Sequence, residues 1–186
     1  FARKPPPLPG HDQICDDYEC GVERLAQGGF VQYEISAYAR SGREARHNLN
    51  YWRFGDYLGI GAGAHGKRTD ATGIVRTVKI RHPRRYVKEA RRGYALESEQ
   101  AIEGVTLATE FMLNALRLKQ GFTLREFETS TRLPVSVVAT PLEKAVDRGW
   151  LDRTGERVEP TDTGFRFLND LQILFTDLEE EVDAHA

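Results

Sequence analysis

The densest concentration of side chains able to do chemistry runs from Arg43 to Asp56 and reads Arg-Glu-Ala-Arg-His-Asn-Leu-Asn-Tyr-Trp-Arg-Phe-Gly-Asp. His47 is a metal ligand or proton carrier by type, and Asn48 beside it is able to orient the imidazole through a hydrogen bond. Tyr51, Trp52 and Phe54 offer flat apolar surface, while Arg43, Arg46 and Arg53 offer guanidinium groups to carboxylates. A planar, acidic, iron-bearing ligand such as heme suits those features together, since histidine is a common axial ligand to heme iron. The same residues also suit a packed loop holding a satisfied histidine. Taken alone they favour that reading, because short motifs match by chance.

The second candidate is Gly61-Ala-Gly-Ala-His-Gly66. It matches G-x-G-x-x-G, which binds a dinucleotide when a strand feeds it and a helix N-terminus leaves it. Here Lys67-Arg-Thr-Asp-Ala-Thr-Gly73 follows and reads as a turn, so a dinucleotide site is rejected. What survives is a glycine-lined strand end that lets a ligand approach the main chain. Eight Lys or Arg residues and one acid, Glu89, lie between Arg76 and Arg92. Such a run serves either as an anion-binding strip or as a solvated face, and charge alone favours the face. Cys15 and Cys20 match no zinc or cluster spacing. No Ser-His-Asp set or carboxylate pair is readable.

The elements that must position these residues are those of a globular chain. Its 186 residues are 40% hydrophobic and 29% charged, enough to build a real core. A net charge of −2 argues against a chain built to coat nucleic acid or an acidic membrane. No apolar run is long enough to span a bilayer. Two cysteines exclude a disulfide-dense scaffold and make the cytosol the default compartment. Residues 1–9 hold four prolines and predict an extended loop, and the absent initiator Met points to a fragment or a processed product.

Ile14, Tyr18, Val22 and Leu25 predict a helix ended by Gly28-Gly29, and Phe30 to Tyr38 predicts a strand. Tyr57 to Ala64 predicts a second strand, residues 67–73 a turn, and Ile74 to Ile80 a third strand. The order suggests an α/β layer, with a domain boundary near residues 93–98. Beyond it, Ala101 to Leu116 carries an apolar stripe at helical spacing that includes Met112, with Gly121 as the helix end. Thr123 to Glu126 and Thr140 to Glu143 are capping boxes, and the helix from the second runs to Arg148 before Gly149. Trp150 to Val158 predicts a hairpin, and Phe165 to Leu178 a terminal helix. Helices followed by a hairpin and a helix are the order of a winged-helix module. The helix that would read DNA balances Glu143 and Asp147 against Lys144 and Arg148, and Glu179-Glu-Glu181 follows, so no nucleic-acid partner is expected.

Three ordered motifs carry a resemblance: Tyr33-Glu-Ile-Ser-Ala-Tyr-Ala39, His47-Asn-x-x-Tyr-Trp52, and Gly55-Asp-Tyr-Leu-Gly-Ile-Gly-Ala-Gly-Ala-His-Gly66. Together they resemble the radical S-adenosylmethionine proteins related to oxygen-independent coproporphyrinogen III oxidase, in the branch regarded as heme chaperones. Asn114-Ala-Leu-Arg-Leu and Gly149-Trp-Leu resemble the C-terminal domain of that family. The resemblance implies the C-terminal part of a TIM-type α/β barrel over residues 1–93 and a helical winged-helix-like domain over residues 94–186. It implies His47, with Asn48, Tyr51 and Trp52, on heme, His47 as ligand to its iron, and Ala64 and His65 on the S-adenosylmethionine side of the barrel. A heme-acceptor protein and a cytoplasmic location follow from it.

The family's N-terminal half carries C-x-x-x-C-x-x-C, whose thiolates hold a 4Fe–4S cluster. This chain has no such motif, and Cys15 with Cys20 do not replace it. The expectation is therefore the C-terminal portion of a heme-binding and heme-transferring protein, without radical chemistry of its own. The alternative is a coproporphyrinogen oxidase of porphyrin biosynthesis whose cluster-bearing half lies outside this chain.

Overall fold

The computed structural model describes residues 7–176 and residue 178. Residues 1–6 of the proline-rich start and the acidic run Glu179–Glu181 lie outside the described residues. The chain is of mixed α/β class and divides into two compact units, Phe1–Ala45 and Arg46–Ala186.

In the first unit, helix α1 (His11–Gln27) is followed by Gly28 and Gly29, the latter at φ 78°, as the sequence predicts. The single strand expected over Phe30–Tyr38 is two: β1 (Val31–Glu34) and β2 (Ala37–Ala39) pair antiparallel, Val31 opposite Ala39. The chain turns at Ile35 and Ser36. Two short arms joined by a two-residue turn keep the alternation of one continuous strand, so periodicity does not separate them.

The second unit begins with α2 (Arg46–Trp52) and continues through β3 (His65–Asp70), β4 (Gly73–Lys79), α3 (Pro83–Ala90) and β5 (Leu96–Ile102). The three strands form an antiparallel sheet in the order β3-β4-β5. Three expectations are corrected here. Tyr57–Ala64 is not a strand: Tyr57 forms one bridge with Lys67, and Gly61 and Gly63 take φ values of 110° and 72° that bend the chain. Residues 67–70 are not a turn but strand, closed by a tight connection in which Thr72 donates its backbone N–H to Asp70 Oδ1 at 2.8 Å. Residues 96–102 form β5, so Ala101 and Ile102, expected at the start of the helical stripe, are strand and the helix begins only at Gly104. Both missed strands are polar along most of their length, so they lack the apolar alternation that marks a half-buried strand, and ladder bonding to β4 decides their form.

Beyond them lie α4 (Gly104–Ala115), β6 (Phe122–Thr123), α5 (Leu124–Thr131), a 3-10 turn (Val135–Val138) and α6 (Ala139–Asp147). The hairpin β7 (Leu151–Thr154) and β8 (Arg157–Pro160) follows, then α7 (Asp162–Arg166) and α8 (Leu168–Ile173). The second sheet has the order β6-β8-β7, also antiparallel. The buried stripe of α4, Leu107, Ala108, Phe111, Met112 and Ala115, packs this region's core. Phe111 meets Phe122 and Phe127 edge-on, each with ring centroids 5.3 Å apart, a preferred aromatic geometry. Thr109 Oγ1 donates to the Phe175 carbonyl and Gln172 Nε2 to the Leu113 carbonyl, tying the chain's later residues to α4.

The capping box at Thr123 and Glu126 forms as predicted. The one at Thr140 does not, because the helix starts earlier, at Ala139 behind an uncapped Val138. Helix α4 ends at Ala115 rather than at Gly121. The single terminal helix is broken at Phe167 (φ −102°, ψ 39°). Its first piece is fixed separately: Thr161 Oγ1 accepts from the Gly164 N–H, and Gly164 lies so close to the Trp150 carbonyl that a Cβ would sit 1.9 Å from that oxygen.

Candidate functional site

Helix α2 has seven residues and buries none of them, so its own propensity does not hold it. It is held at its C-terminal end. Asn50 accepts the Gly55 N–H on its carbonyl at 2.7 Å and donates its side-chain amide to the Asp56 carbonyl at 2.8 Å. A Cβ on Gly55 would lie 2.2 Å from Asn50 Oδ1, so glycine is required there. Phe54 takes the left-handed conformation, φ 59°, which for a bulky residue stores on the order of 1–3 kcal/mol of strain. Burial offsets it: the Phe54 ring is covered and lies 5.7 Å, edge-on, from Phe111 of α4.

Beneath this turn is Lys67, from β3, only 3% exposed. Its Nζ donates to the Phe54 carbonyl at 2.7 Å, lies 3.9 Å from the Phe54 ring centroid and is 3.5 Å from Asp56 Oδ1. Asp56 also accepts the Thr69 backbone N–H at 2.8 Å and the Thr69 hydroxyl at 2.7 Å. Burial pulls the Lys67 ammonium below the ordinary lysine range, and the Asp56 charge opposes that only in part. Burial raises the Asp56 carboxyl, but the two Thr69 bonds and the Lys67 charge outweigh it and hold the group below its usual range. Farther along, Arg76 on β4 pairs with Glu110 on α4 at 2.6 Å, where burial pushes the Glu110 carboxyl up against the pull of Arg76. Sequence reasoning missed Lys67 because it lay in an expected turn. A lysine between strand residues carries no mark of its burial.

On that platform His47 is exposed, and its ring meets Tyr51 one turn on, edge-on at 6.1 Å. Asn48 is the next residue along the helix, where neighbouring side chains diverge by about 100°. Tyr51 continues to Tyr57 at 4.6 Å. Trp52 is half-buried, with the Arg117 guanidinium 4.2 Å from its ring centroid. The Trp52 Nε1 and Arg117 Nε atoms are buried without an acceptor. Buried donors left so cost on the order of 1–3 kcal/mol each.

Ala64 and His65 stand at the start of β3. Ala64 uses its carbonyl for the Lys79 N–H at 2.8 Å and its N–H for Gly61, while His65 is exposed opposite Val78. Among the described residues, no hydrogen bond or ring contact joins His65 to His47. The glycines of this segment serve the chain itself: a Cβ on Gly59 would sit 2.3 Å from the His65 carbonyl oxygen, and one on Gly66 2.7 Å from Thr77 Oγ1. The main chain approached here is therefore the protein's own.

Cys15 and Cys20 are both exposed thiols on α1. Two thiols five residues apart do not fit a 4Fe–4S cluster, which takes more cysteine ligands than this chain holds. Among the described residues no group of three His, Cys, Asp or Glu residues gathers into a metal site. No helix there is long and apolar enough to cross a membrane.

Comparison with known proteins gives a consistent picture. Residues 105–167 match the family described as HemN C-terminal domain. The chain is 43% identical over 176 residues to the heme chaperone HemW of Escherichia coli, covering 94% of this chain and 46% of that protein. It is 42% identical to the Haemophilus influenzae heme chaperone HemW, over 94% of this chain and 45% of that one. Against the Mycobacterium tuberculosis heme chaperone HemW the identity is 34%, over 84% of this chain and 37% of that one. The chain thus spans less than half the length of these relatives. Among solved structures, coproporphyrinogen III oxidase (HemN) from Escherichia coli, described as a radical SAM enzyme, matches with a TM-score of 0.66 at 16% identity, over 90% of this chain and 42% of that one. That likeness is one of fold. The resemblance to the radical S-adenosylmethionine proteins related to coproporphyrinogen III oxidase therefore holds, on the heme chaperone side of that group and over its C-terminal portion.

Proposed function

We propose that this chain is the C-terminal part of a heme chaperone, which binds heme and passes it to an acceptor protein. The observation that carries the reading is His47: an exposed imidazole on a short helix that is clamped at its far end, with the Tyr51 ring against it. An imidazole so presented is free to bind iron from the surface, and a surface site suits a cargo that must leave again. Tyr51 and Trp52 then give apolar contact to the macrocycle, and Asn48 belongs to the same helical turn.

The alternative, an oxidase of porphyrin biosynthesis, has less support: identity is 43% to a heme chaperone and 16% to the oxidase of known structure. The finer architecture belongs to the same reading. The winged-helix-like character expected for residues 94–186 is supported from α4 onward by the order α4, β6, α5, α6 and the β7–β8 hairpin, with β6 alongside β8. The TIM-type barrel expected over residues 1–93 gains nothing from the strand pairing: β1–β2 and β3–β4–β5 are antiparallel, where such a barrel is parallel. Ala64 and His65 face S-adenosylmethionine in the complete protein. The 4Fe–4S cluster that the resemblance implies has no ligand set in this chain. The setting is the cytoplasm.

The test is a heme titration followed by absorbance. The chain should give a saturable Soret shift that His47→Ala weakens about tenfold or more, the cost of losing one good interaction, while His65→Ala changes it little. An identical titration for folded His47→Ala would remove the ligand role.

A further inference from the structure

Beside Trp52 the second unit opens a small cleft of about 80 Å³, lined by Trp52 at the end of α2, Arg53 just after it, Phe111, Phe122, Glu126 and Arg157. Its charged groups divide into two kinds. Glu126 is engaged in the α5 capping box, accepting the Thr123 N–H at 2.6 Å. Arg157 is engaged with Glu159 at 3.0 Å and with the Gln120 carbonyl. Among the described residues the Arg53 guanidinium has no carboxylate or carbonyl partner, and Arg53 is exposed. Arg117 does not line the cleft but stacks on the indole of Trp52, which does, and both its Nε and Trp52 Nε1 are covered and unbonded.

An aromatic wall, an apolar floor and one guanidinium group without an anion describe a receptor for a flat apolar body that carries a carboxylate. We infer that this cleft takes a carboxylate side arm of a tetrapyrrole, with Arg53 as its ion partner. The inference rests on the heme reading and deepens it, because His47 and Trp52 lie on the same helix, five residues apart. The chemistry is that of bidentate guanidinium–carboxylate pairing, strengthened where aromatic side chains exclude water.

The experiment needs no iron, which separates it from the iron-ligation test. In a Trp150→Phe background Trp52 is the sole tryptophan, since the chain has two. Metal-free protoporphyrin and its dimethyl ester are titrated against Trp52 emission in the full chain. The free acid should quench saturably, and the ester should need about tenfold more, the loss expected for one charge-assisted pair. Arg53→Gln should weaken the acid to a similar degree and leave the ester unchanged. Arg153→Gln, on β7, controls for overall charge and should change nothing. Equal binding of acid and ester, no saturable quenching by the acid, or indifference to Arg53→Gln would each overturn the proposal. If iron ligation fails at His47 but the acid still depends on Arg53, the cleft stands and the axial-ligand reading falls.

Discussion

Residues 104–178 and residues 46–70 are adjacent stretches of one unit built on different terms. The later region is organised by apolar burial: Phe111, Met112, Phe127, Leu171 and Phe175 are each 2% exposed or less. The earlier one keeps Leu58 and Ile60 more than four-fifths exposed and buries, of its large side chains, Phe54 and Lys67. It is held by point contacts, from Lys67 to the Phe54 carbonyl and from Thr69 to Asp56. Dense packing tolerates little change of volume, whereas a clamped surface turn leaves its outward side chains free for chemistry. The difference separates what keeps the chain folded from what binds.

Breaking the packed side should have the largest effect. Phe111 touches Phe122, Phe127 and also Phe54, so Phe111→Ala removes the ring that both regions share. It should cost about 3–5 kcal/mol in denaturant unfolding. Breaking the clamp should cost less. Lys67→Met leaves the Phe54 carbonyl without its donor, for about 1–3 kcal/mol. Amide exchange should then loosen at Gly55 while the α4 amides stay protected, because the clamp holds only the end of α2.

Asp56→Asn should be milder, about 1 kcal/mol at neutral pH, since the carboxylate is half exposed and screened by water. Its pH dependence has a definite sign. The folded-state pKa of Asp56 is lowered, so its contribution is present above the ordinary carboxylate pKa of about 4 and disappears as pH falls through the lower folded value. Denaturation of the parent and the Asn variant should therefore differ at pH 7 and converge in acid. A gap that persists unchanged at the lowest pH where the chain stays folded would remove Asp56 as a charged clamp. The smallest stability effect belongs to His47→Ala, within about 0.5 kcal/mol, as for an exposed side chain. A large loss of stability there would make His47 part of the fold.

The same division decides what was legible in the sequence. Where burial follows a period, the residues announce it. The α4 stripe through Phe111 and Met112, the strand at Ile74–Lys79, the Thr123 capping box and the hairpin after Trp150 all formed as their patterns predict. Where hydrogen bonding or a single contact decides, nothing periodic marks the place. Strands β3 and β5 are polar and were hidden, and Lys67 is buried by a turn whose key residue is Phe54 at positive φ. Of the candidate site, the residue types of His47, Tyr51 and Trp52 were legible, but the helix that carries them was not: the stretch reads as a loop, and α2 brings His47 and Tyr51, four apart, onto one face. The pairing of Arg117 with Trp52 was not legible either, because it joins residues 65 apart along the chain.

The central claim is that the exposed imidazole on the clamped helix is the group that meets iron. Resonance Raman spectroscopy of the reduced, heme-loaded chain tests it most directly, through the iron–histidine stretching band. The band should be present in the parent chain, absent in folded His47→Ala, and restored to that variant by added imidazole. A band of the same frequency and strength in His47→Ala without imidazole would contradict the account and assign the ligand to another side chain.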